Sequence, residues 1–245
     1  MQQRGFSLSR KKDLSIVTDA DILIQEYLYR KISARFKDAV VICEEGFEPD
    51  INLMDEKKMS VIIDPIDGTA MLTMGLPFWC VSLGIFDGFK PVYGFIYSPA
   101  CGLFFSNDDG NAFCNGTVIK TDKSLAPESE TNVFFASEFI KDYDLAVVGK
   151  IRNLGSTALH AALVAYNTKS RGIAFVGGGN LWDWAGALPI LQRAGADVKY
   201  MSGKDIDFSA IAANGYRFLE VMLAYSSENF EQARKMIVKR QRSFY

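Results

Sequence analysis

Histidine occurs once in this 245-residue chain, at His160, and cysteine four times, at Cys43, Cys80, Cys101 and Cys114, far apart and never as C-x-x-C. That scarcity argues against a zinc site and against a disulfide framework, and it leaves reduced, buried thiols as the expected state. His160 sits in an Ala-rich stretch with no acid beside it, so packing on a helix is its expected role. Basic charge is not in excess: 27 Lys and Arg against 29 Asp and Glu give a formal charge of −2. A polynucleotide would find no positive field to bind. No apolar run approaches the ~18 residues of a membrane span, and residues 1–13 lack the apolar core of a leader peptide. The expected setting is therefore cytoplasmic, with neither a membrane nor a nucleic acid polymer as partner. Internal repeats and low-complexity tracts are missing too. What the chain has is apolar content, 49% of its residues, enough for one large domain or two intimately packed ones.

Acids at strand ends carry the chemistry. Residues 61–69 read Val-Ile-Ile-Asp-Pro-Ile-Asp-Gly-Thr, a buried-strand tripeptide that empties into two carboxylates, a rigid turn and a hydroxyl. Pro65 is expected to stop the strand ladder, because it has no amide hydrogen, while Gly68 lets the backbone pass close to a bound group. Asp64 and Asp67 can then converge on one point. Carboxylates without neighbouring His or Cys suit Mg²⁺ rather than zinc, and Mg²⁺ works beside substrate phosphates. The residues alone point to metal-assisted phosphate chemistry.

The rest of the chain supplies acids at comparable junctions. Ile24, Tyr27, Leu28 and Ile32 recur at helical spacing, so a helix is expected from Thr18 or Asp19, with Asp21 in its first turn. By itself Asp21 reads as a helix-start residue. Residues 39–43 form a short apolar strand that ends at Glu44-Glu45-Gly46, an acid pair that in most sequences is only a solvated surface. Residues 78–86, 92–97 and 103–106 read as an antiparallel meander, closed by a turn at Asn115-Gly116. The polar stretch 121–131 is the best domain boundary. Beyond it, strand and helix alternate: a strand from Asn132, an Ala-rich helix over 156–166, a final strand over 220–225 and a final helix over 228–238. Asp183 lies in Gly-Asn-Leu-Trp-Asp-Trp-Ala-Gly and reads alone as the cap of a following helix, which Pro189 should kink or shorten.

Taken in order, these motifs resemble the inositol monophosphatase family, the lithium-sensitive, Mg²⁺-dependent phosphatases related to fructose-1,6-bisphosphatase. The D-P-[IL]-D-G-T pattern appears as residues 64–69, the upstream acid pair as Glu44-Glu45, the entry T-x-A-D as residues 18–21 and W-D-x-A as residues 182–185. The resemblance extends through residues 111–116 and Gly155-Ser156, so it covers most of the chain. It implies an α/β layered fold, an αβαβα sandwich of the sugar phosphatase type. An N-terminal α+β half over residues 1–121 would carry Glu44 and Asp64, and a C-terminal α/β half over 122–245 would deliver Asp183. Glu44, Asp64 and the backbone carbonyl of Ile66 should hold one Mg²⁺, and Asp64, Asp67 and Asp183 a second. A third, weaker ion is implied near Glu44 and Glu45, with Mn²⁺ as a substitute for Mg²⁺ and Li⁺ as an inhibitor. Thr69 and Asp21 match the pair that orients and deprotonates the attacking water, and the amides of Gly68 and Thr69 should meet the phosphate. A homodimer is also implied, with residues 78–80 and 104–105 either at its interface or in the core.

The substrate is where this chain departs from the pattern. Met71-Leu72 replace the usual Asn-Phe, which should alter packing only. The family's first helix is shortened here, leaving Lys11 or Lys12 to stand in for its lysine. Val176 stands where inositol-specific members have a glutamate that grips sugar hydroxyls, so inositol phosphate itself is weakened as a substrate, and Val176→Glu should improve its use. A small phosphorylated metabolite, an inositol or sugar phosphate, is the first expectation. Adenosine 3′,5′-bisphosphate and histidinol phosphate are the alternatives, although Ala70 replaces the lysine common in the former's phosphatases. A catalytically inactive scaffold of the same fold is the alternative of another kind, disfavoured because every expected metal carboxylate is present.

Overall fold

The computed structural model describes residues 7–10, 16–46, 54–146, 148–226, 228 and 230–240. Lys11 and Lys12 lie outside the described residues. Two sheets organise the chain. The first has seven strands in the spatial order Val40–Cys43, Met59–Asp67, Cys80–Asp87, Lys90–Ser98, Leu103–Asn107, Ala112–Cys114 and Thr117–Ile119. Only its first pair is parallel; the others form the antiparallel meander that the turn signals anticipate. The second sheet has five strands in the order Lys150–Arg152, Asn132–Phe135, Gly172–Gly177, Met222–Tyr225 and Asp197–Tyr200. Its first three strands run parallel and the last two add antiparallel pairs.

Helices Thr157–Ala165, Leu181–Ala185 and Ala187–Ala194 fill the space between the sheets. One apolar cluster runs from Ile62, Phe86 and Ile96 through Leu159, Trp184 and Leu188 to Phe175 and Ala224. Helix Asp19–Arg35 covers the far side of the first sheet, and helix Phe230–Lys235 the far side of the second. The layers are therefore helix, sheet, helices, sheet, helix, an α/β sandwich. The middle helices approach very closely. A Cβ on Gly84 would run into the Ala185 carbonyl, and one on Gly94 into that of Gly186, so the two glycines bring the Asp183 helix down onto the sheet.

Several elements differ from the sequence expectation. Strand Met59–Asp67 does not stop at Pro65 but runs through it, by way of a bulge between Asp64 and Asp67. The ladder tolerates proline there because the bulge leaves residues unpaired. The apolar stretch after Asp183 is two helices rather than one, parted at Gly186, and Pro189 falls in the first turn of the second, where a missing amide hydrogen costs nothing. The last strand is Ile237–Lys239, which pairs with Tyr143–Leu145 after helix Phe230–Lys235. Of the aromatic stretches, Cys80 and Phe105 belong to the core, Phe78 and Trp79 are half-buried and Phe104 is exposed. Among the described residues, no helix is long and apolar enough to cross a membrane.

Candidate metal centre

The bulge in strand Met59–Asp67 builds the site. Asp64 pairs with Ser82 and Asp67 with Cys80, so three steps along one strand match two along its neighbour. In a regular strand, residues three apart point to opposite faces. The extra residue cancels that alternation, and both carboxylates face the middle helices, as Ile62 does. From the other side, helix Leu181–Ala185 delivers Asp183 in its first turn. Oxygens of Asp64, Asp67 and Asp183 come within 4.8 Å of one another.

Asp64 is 1% exposed and its Oδ1 has no hydrogen-bond partner among the described residues. Burial raises its pKa well above the ordinary carboxylate range, and the neighbouring charges of Glu44, Asp67 and Asp183 push it further. A hydrogen bond shared with Glu44 adds to the effect. Glu44 therefore belongs beside Asp64, at the end of the strand paired parallel to it; its amide donates to the Ile63 carbonyl at 3.1 Å. Asp183 is raised well above its usual value by burial, then by Glu44 and Asp67. Asp67 is shifted to about 6 by burial, an effect opposed by the hydrogen bonds it accepts.

Those bonds tie Asp67 to the start of helix Thr157–Ala165. Ser156 Oγ donates to Asp67 Oδ2 at 2.6 Å, the Ala158 amide to the same oxygen at 2.6 Å and the Thr157 amide to Oδ1 at 3.2 Å. Ser156 is also the helix cap, accepting from the Leu159 amide. Asp67 thus links the first sheet to the N-terminus of a middle helix, where a negative charge is favoured.

A second group lies next to the acids. Asp21, 1% exposed, accepts from the Thr18 amide at 2.8 Å and from its hydroxyl at 2.5 Å through Oδ2. Its Oδ1 accepts from Thr69 Oγ1 at 3.1 Å, and the same hydroxyl lies 3.0 Å from the Ile66 carbonyl. Gly68 precedes Thr69 with φ +93°, and a Cβ on it would meet the Phe78 carbonyl at 2.9 Å and that of Gly155 at 3.1 Å. Only glycine fits there without strain. Glu45 is held through its backbone, which exchanges two hydrogen bonds with the Gln25 side chain.

Two sequence readings change at this point, those of Asp183 and Val176, while Met71 and His160 pack as expected. Asp183 does not stand at the N-cap position, which is Asn180; it lies in the first turn of its helix and acts from there as the acid of a capping box, its Oδ2 accepting from the Asn180 amide at 2.7 Å. Val176 does not line the site. It is fully buried on the opposite face of its strand, among Val133, Leu223 and Met236, so a glutamate there would be a buried charge rather than a grip on sugar hydroxyls. Met71 packs on Gly155, whose added Cβ would lie 2.7 Å from the Met71 side chain. His160 stacks beside Phe134 and Phe175, accepts the Leu154 amide on Nε2 at 2.7 Å and is held neutral by burial, with a pKa of about 3. Gln25 and the N-cap position of Asn180 were missed. The i, i+4 spacing of Asp21 and Gln25 on one helix face was the available signal for the first.

Buried and half-buried acids whose charged neighbours among the described residues are also acids, one with an oxygen orphaned among them, fit a hard divalent cation and little else. The model of the inositol monophosphatase family matches residues 2–232. Inositol monophosphatase 3 of Solanum lycopersicum is 31% identical over 83% of this chain and 80% of its own length. A fructose-1,6-bisphosphatase/inositol-1-monophosphatase of Thermotoga maritima is 33% identical over 78% of this chain and 73% of its own. Among solved structures, an IMPase of Thermotoga maritima superposes with a TM-score of 0.75 at 27% identity, covering 95% of this chain and 87% of that one.

Proposed function

The chain belongs to the inositol monophosphatase family and is a phosphomonoesterase, and from that premise we propose that it hydrolyses a small inositol or sugar phosphate with Mg²⁺ and an attacking water. The observation that carries the metal reading is the cluster of buried Asp64 and Asp67 with half-buried Asp183, in which one Asp64 oxygen has no partner among the described residues. Glu44, Asp64 and the Ile66 carbonyl would hold one ion, Asp64, Asp67 and Asp183 a second, and Glu44 and Glu45 would serve a weaker third. Bound there, divalent cations neutralise charge on the phosphoryl oxygens and acidify a coordinated water.

The protein groups do the rest. Asp21 draws the Thr69 proton toward itself, which leaves lone pairs of the Thr69 hydroxyl to accept from the attacking water. Thr18, bonded twice to Asp21, fixes the direction of that pull. Gly68 and Thr69 offer backbone amides to the phosphate at the first turn of helix Thr69–Thr73. Asp67, clasped by Ser156 and Ala158, keeps the acids at their separation when no ion screens them. No group in this arrangement needs to become phosphorylated.

A homodimer is part of the proposal, with exposed Tyr97 and Phe104 as candidate contacts; light scattering checks it. The Thermotoga maritima relative named for both fructose 1,6-bisphosphate and inositol 1-phosphate supports a sugar or polyol phosphate as substrate. The test is phosphate release from inositol 1-phosphate, fructose 1,6-bisphosphate, adenosine 3′,5′-bisphosphate and histidinol phosphate, with Mg²⁺, with Mn²⁺, with EDTA and with Li⁺. EDTA-sensitive release that favours inositol 1-phosphate or fructose 1,6-bisphosphate is expected. A preference for either of the other two would overturn the substrate reading, and EDTA-resistant release would overturn the metal reading.

A further inference from the structure

Helix Asp19–Arg35 presents two polar side chains to the site from one face. Asp21 reaches Thr69, and Gln25, one turn later, reaches the Glu44-Glu45 turn. The Gln25 contact has a specific form. Its Nε2 donates to the Glu45 carbonyl at 2.7 Å, and its Oε1 accepts the Glu45 amide hydrogen at 2.9 Å. A primary amide is the side-chain group that can donate and accept in this way without carrying charge. Glutamate in its place would accept from the Glu45 amide but face the Glu45 carbonyl with a second acceptor, and it would add negative charge beside Glu44, Glu45 and Asp64.

The consequence falls on Glu44. Its own amide is anchored to the Ile63 carbonyl at 3.1 Å, at the end of the parallel ladder. The next amide, that of Glu45, is anchored by Gln25. The backbone on both sides of the Glu44 Cα is therefore fixed, once by the sheet and once by the helix, although Glu44 itself lies past the end of its strand. The direction of the Glu44 carboxylate toward Asp64 follows from those two anchors. Asp21 and Gln25 stand on a single 17-residue helix whose N-terminus is locked by the Thr18–Asp21 capping box. The water-orienting pair and the acid turn are thus held in register by one rigid element.

We propose that Gln25 is a positioning residue for the metal centre: its amide clamps the Glu45 backbone so that the Glu44-Glu45 turn presents its carboxylates to the ion held with Asp64. The proposal rests on the metal reading above. Gln25 touches neither substrate nor ion, and it acts as an outer partner that orients a ligand-bearing segment. Loss of such partners typically costs about tenfold or more in metal affinity.

The test compares the full chain with Gln25→Met, which keeps side-chain length and helix propensity but has no amide, and with Gln25→Asn, which keeps the amide one methylene short of its reach. Mg²⁺ alone is titrated calorimetrically into each protein, and the Mg²⁺ concentration for half-maximal phosphate release is measured alongside kcat at saturating Mg²⁺. The expected result is Mg²⁺ binding weaker by about tenfold in both variants, with a matching rise in the half-maximal concentration and kcat at saturation largely restored. A purely structural role would lower the melting temperature in EDTA and leave the Mg²⁺ affinity alone. Unchanged affinity in either folded variant would overturn the proposal. Parent protein that hydrolyses phosphate esters but takes up no Mg²⁺ would overturn the metal reading itself, an outcome distinct from the first.

Discussion

Asp64→Asn separates the stability of the site from its chemistry. Asp64, Asp67 and Asp183 place oxygens within 4.8 Å of one another, and at an effective dielectric of ~20 each fully ionised pair at that distance repels by about 3 kcal/mol. Protein without metal meets that repulsion by holding protons. Asp67 alone, at about 6 in the fold against 3.8 as its ordinary value, favours the folded state while it is protonated. That contribution is complete below the unfolded value and is lost as pH rises through the folded one, a loss of roughly 3 kcal/mol between those limits. The raised values of Asp64 and Asp183 act in the same direction. In EDTA, the parent should therefore melt at lower temperature at about pH 8 than at about pH 5. Asparagine at 64 removes one charge and supplies donors to the remaining acids. In EDTA at about pH 8 it should raise stability by about 2–3 kcal/mol, a Tm shift of roughly 5–10 °C for a chain of this size. With Mg²⁺ the order should reverse, because the parent should gain from binding and the variant would lack one of the proposed ligands. Phosphate release should fall to background. Scanning calorimetry in EDTA and in Mg²⁺ reads each step. An asparagine variant that melts below the parent in EDTA, or gains as much from Mg²⁺, would refute the reasoning.

Ser156→Ala removes a helix cap and a donor to a buried carboxylate, losses of about 1 and about 2 kcal/mol that should together lower Tm by roughly 5–10 °C. Chemical denaturation checks it, and a loss below about 0.5 kcal/mol would mean that the amides of Thr157 and Ala158 suffice. Thr69→Ala should lower kcat by about 10²-fold or more, as expected for loss of a group that acts in proton transfer, while steady-state assays show KM little changed. Val176→Glu should cost several kcal/mol of stability and confer no preference for inositol 1-phosphate, since the side chain enters the apolar cluster of Val133 and Leu223; a soluble variant with improved relative kcat/KM for that ester would place residue 176 at the substrate after all.

The local elements were largely legible. Thr18 and Asp21 announce a helix start, and the structure begins its helix at Asp19 with Thr18 as cap. Asn115-Gly116 announces a hairpin, and strands Ala112–Cys114 and Thr117–Ile119 flank it. Residues 156–166 announce an Ala-rich helix, and the structure forms it over Thr157–Ala165 with Ser156 as its cap. These readings succeed because turns and caps depend on a few adjacent residues. Where the outcome depended on a neighbour, the sequence misled. Pro65 looked like the end of a strand, yet pairing resumes at Asp67 opposite Cys80. Val176 looked like a wall of the pocket because its distance from Asp183 was counted along the chain, yet the strand turns it to the other face.

By itself, then, the sequence determined the chemistry of the site. Acids without histidine or cysteine partners, set at strand ends around a proline-glycine turn, suit a hard cation whatever fold carries them, because ligand type alone decides that preference. Only the tertiary structure decided which oxygens meet. The one-residue bulge sets Asp64 and Asp67 on the same face, glycines at 84 and 94 let the Asp183 helix close on them, and Gln25 holds the Glu44-Glu45 turn from across the sheet edge. Each of these depends on strand register or on the approach of two backbones, relations between residues far apart in the chain that no local pattern encodes.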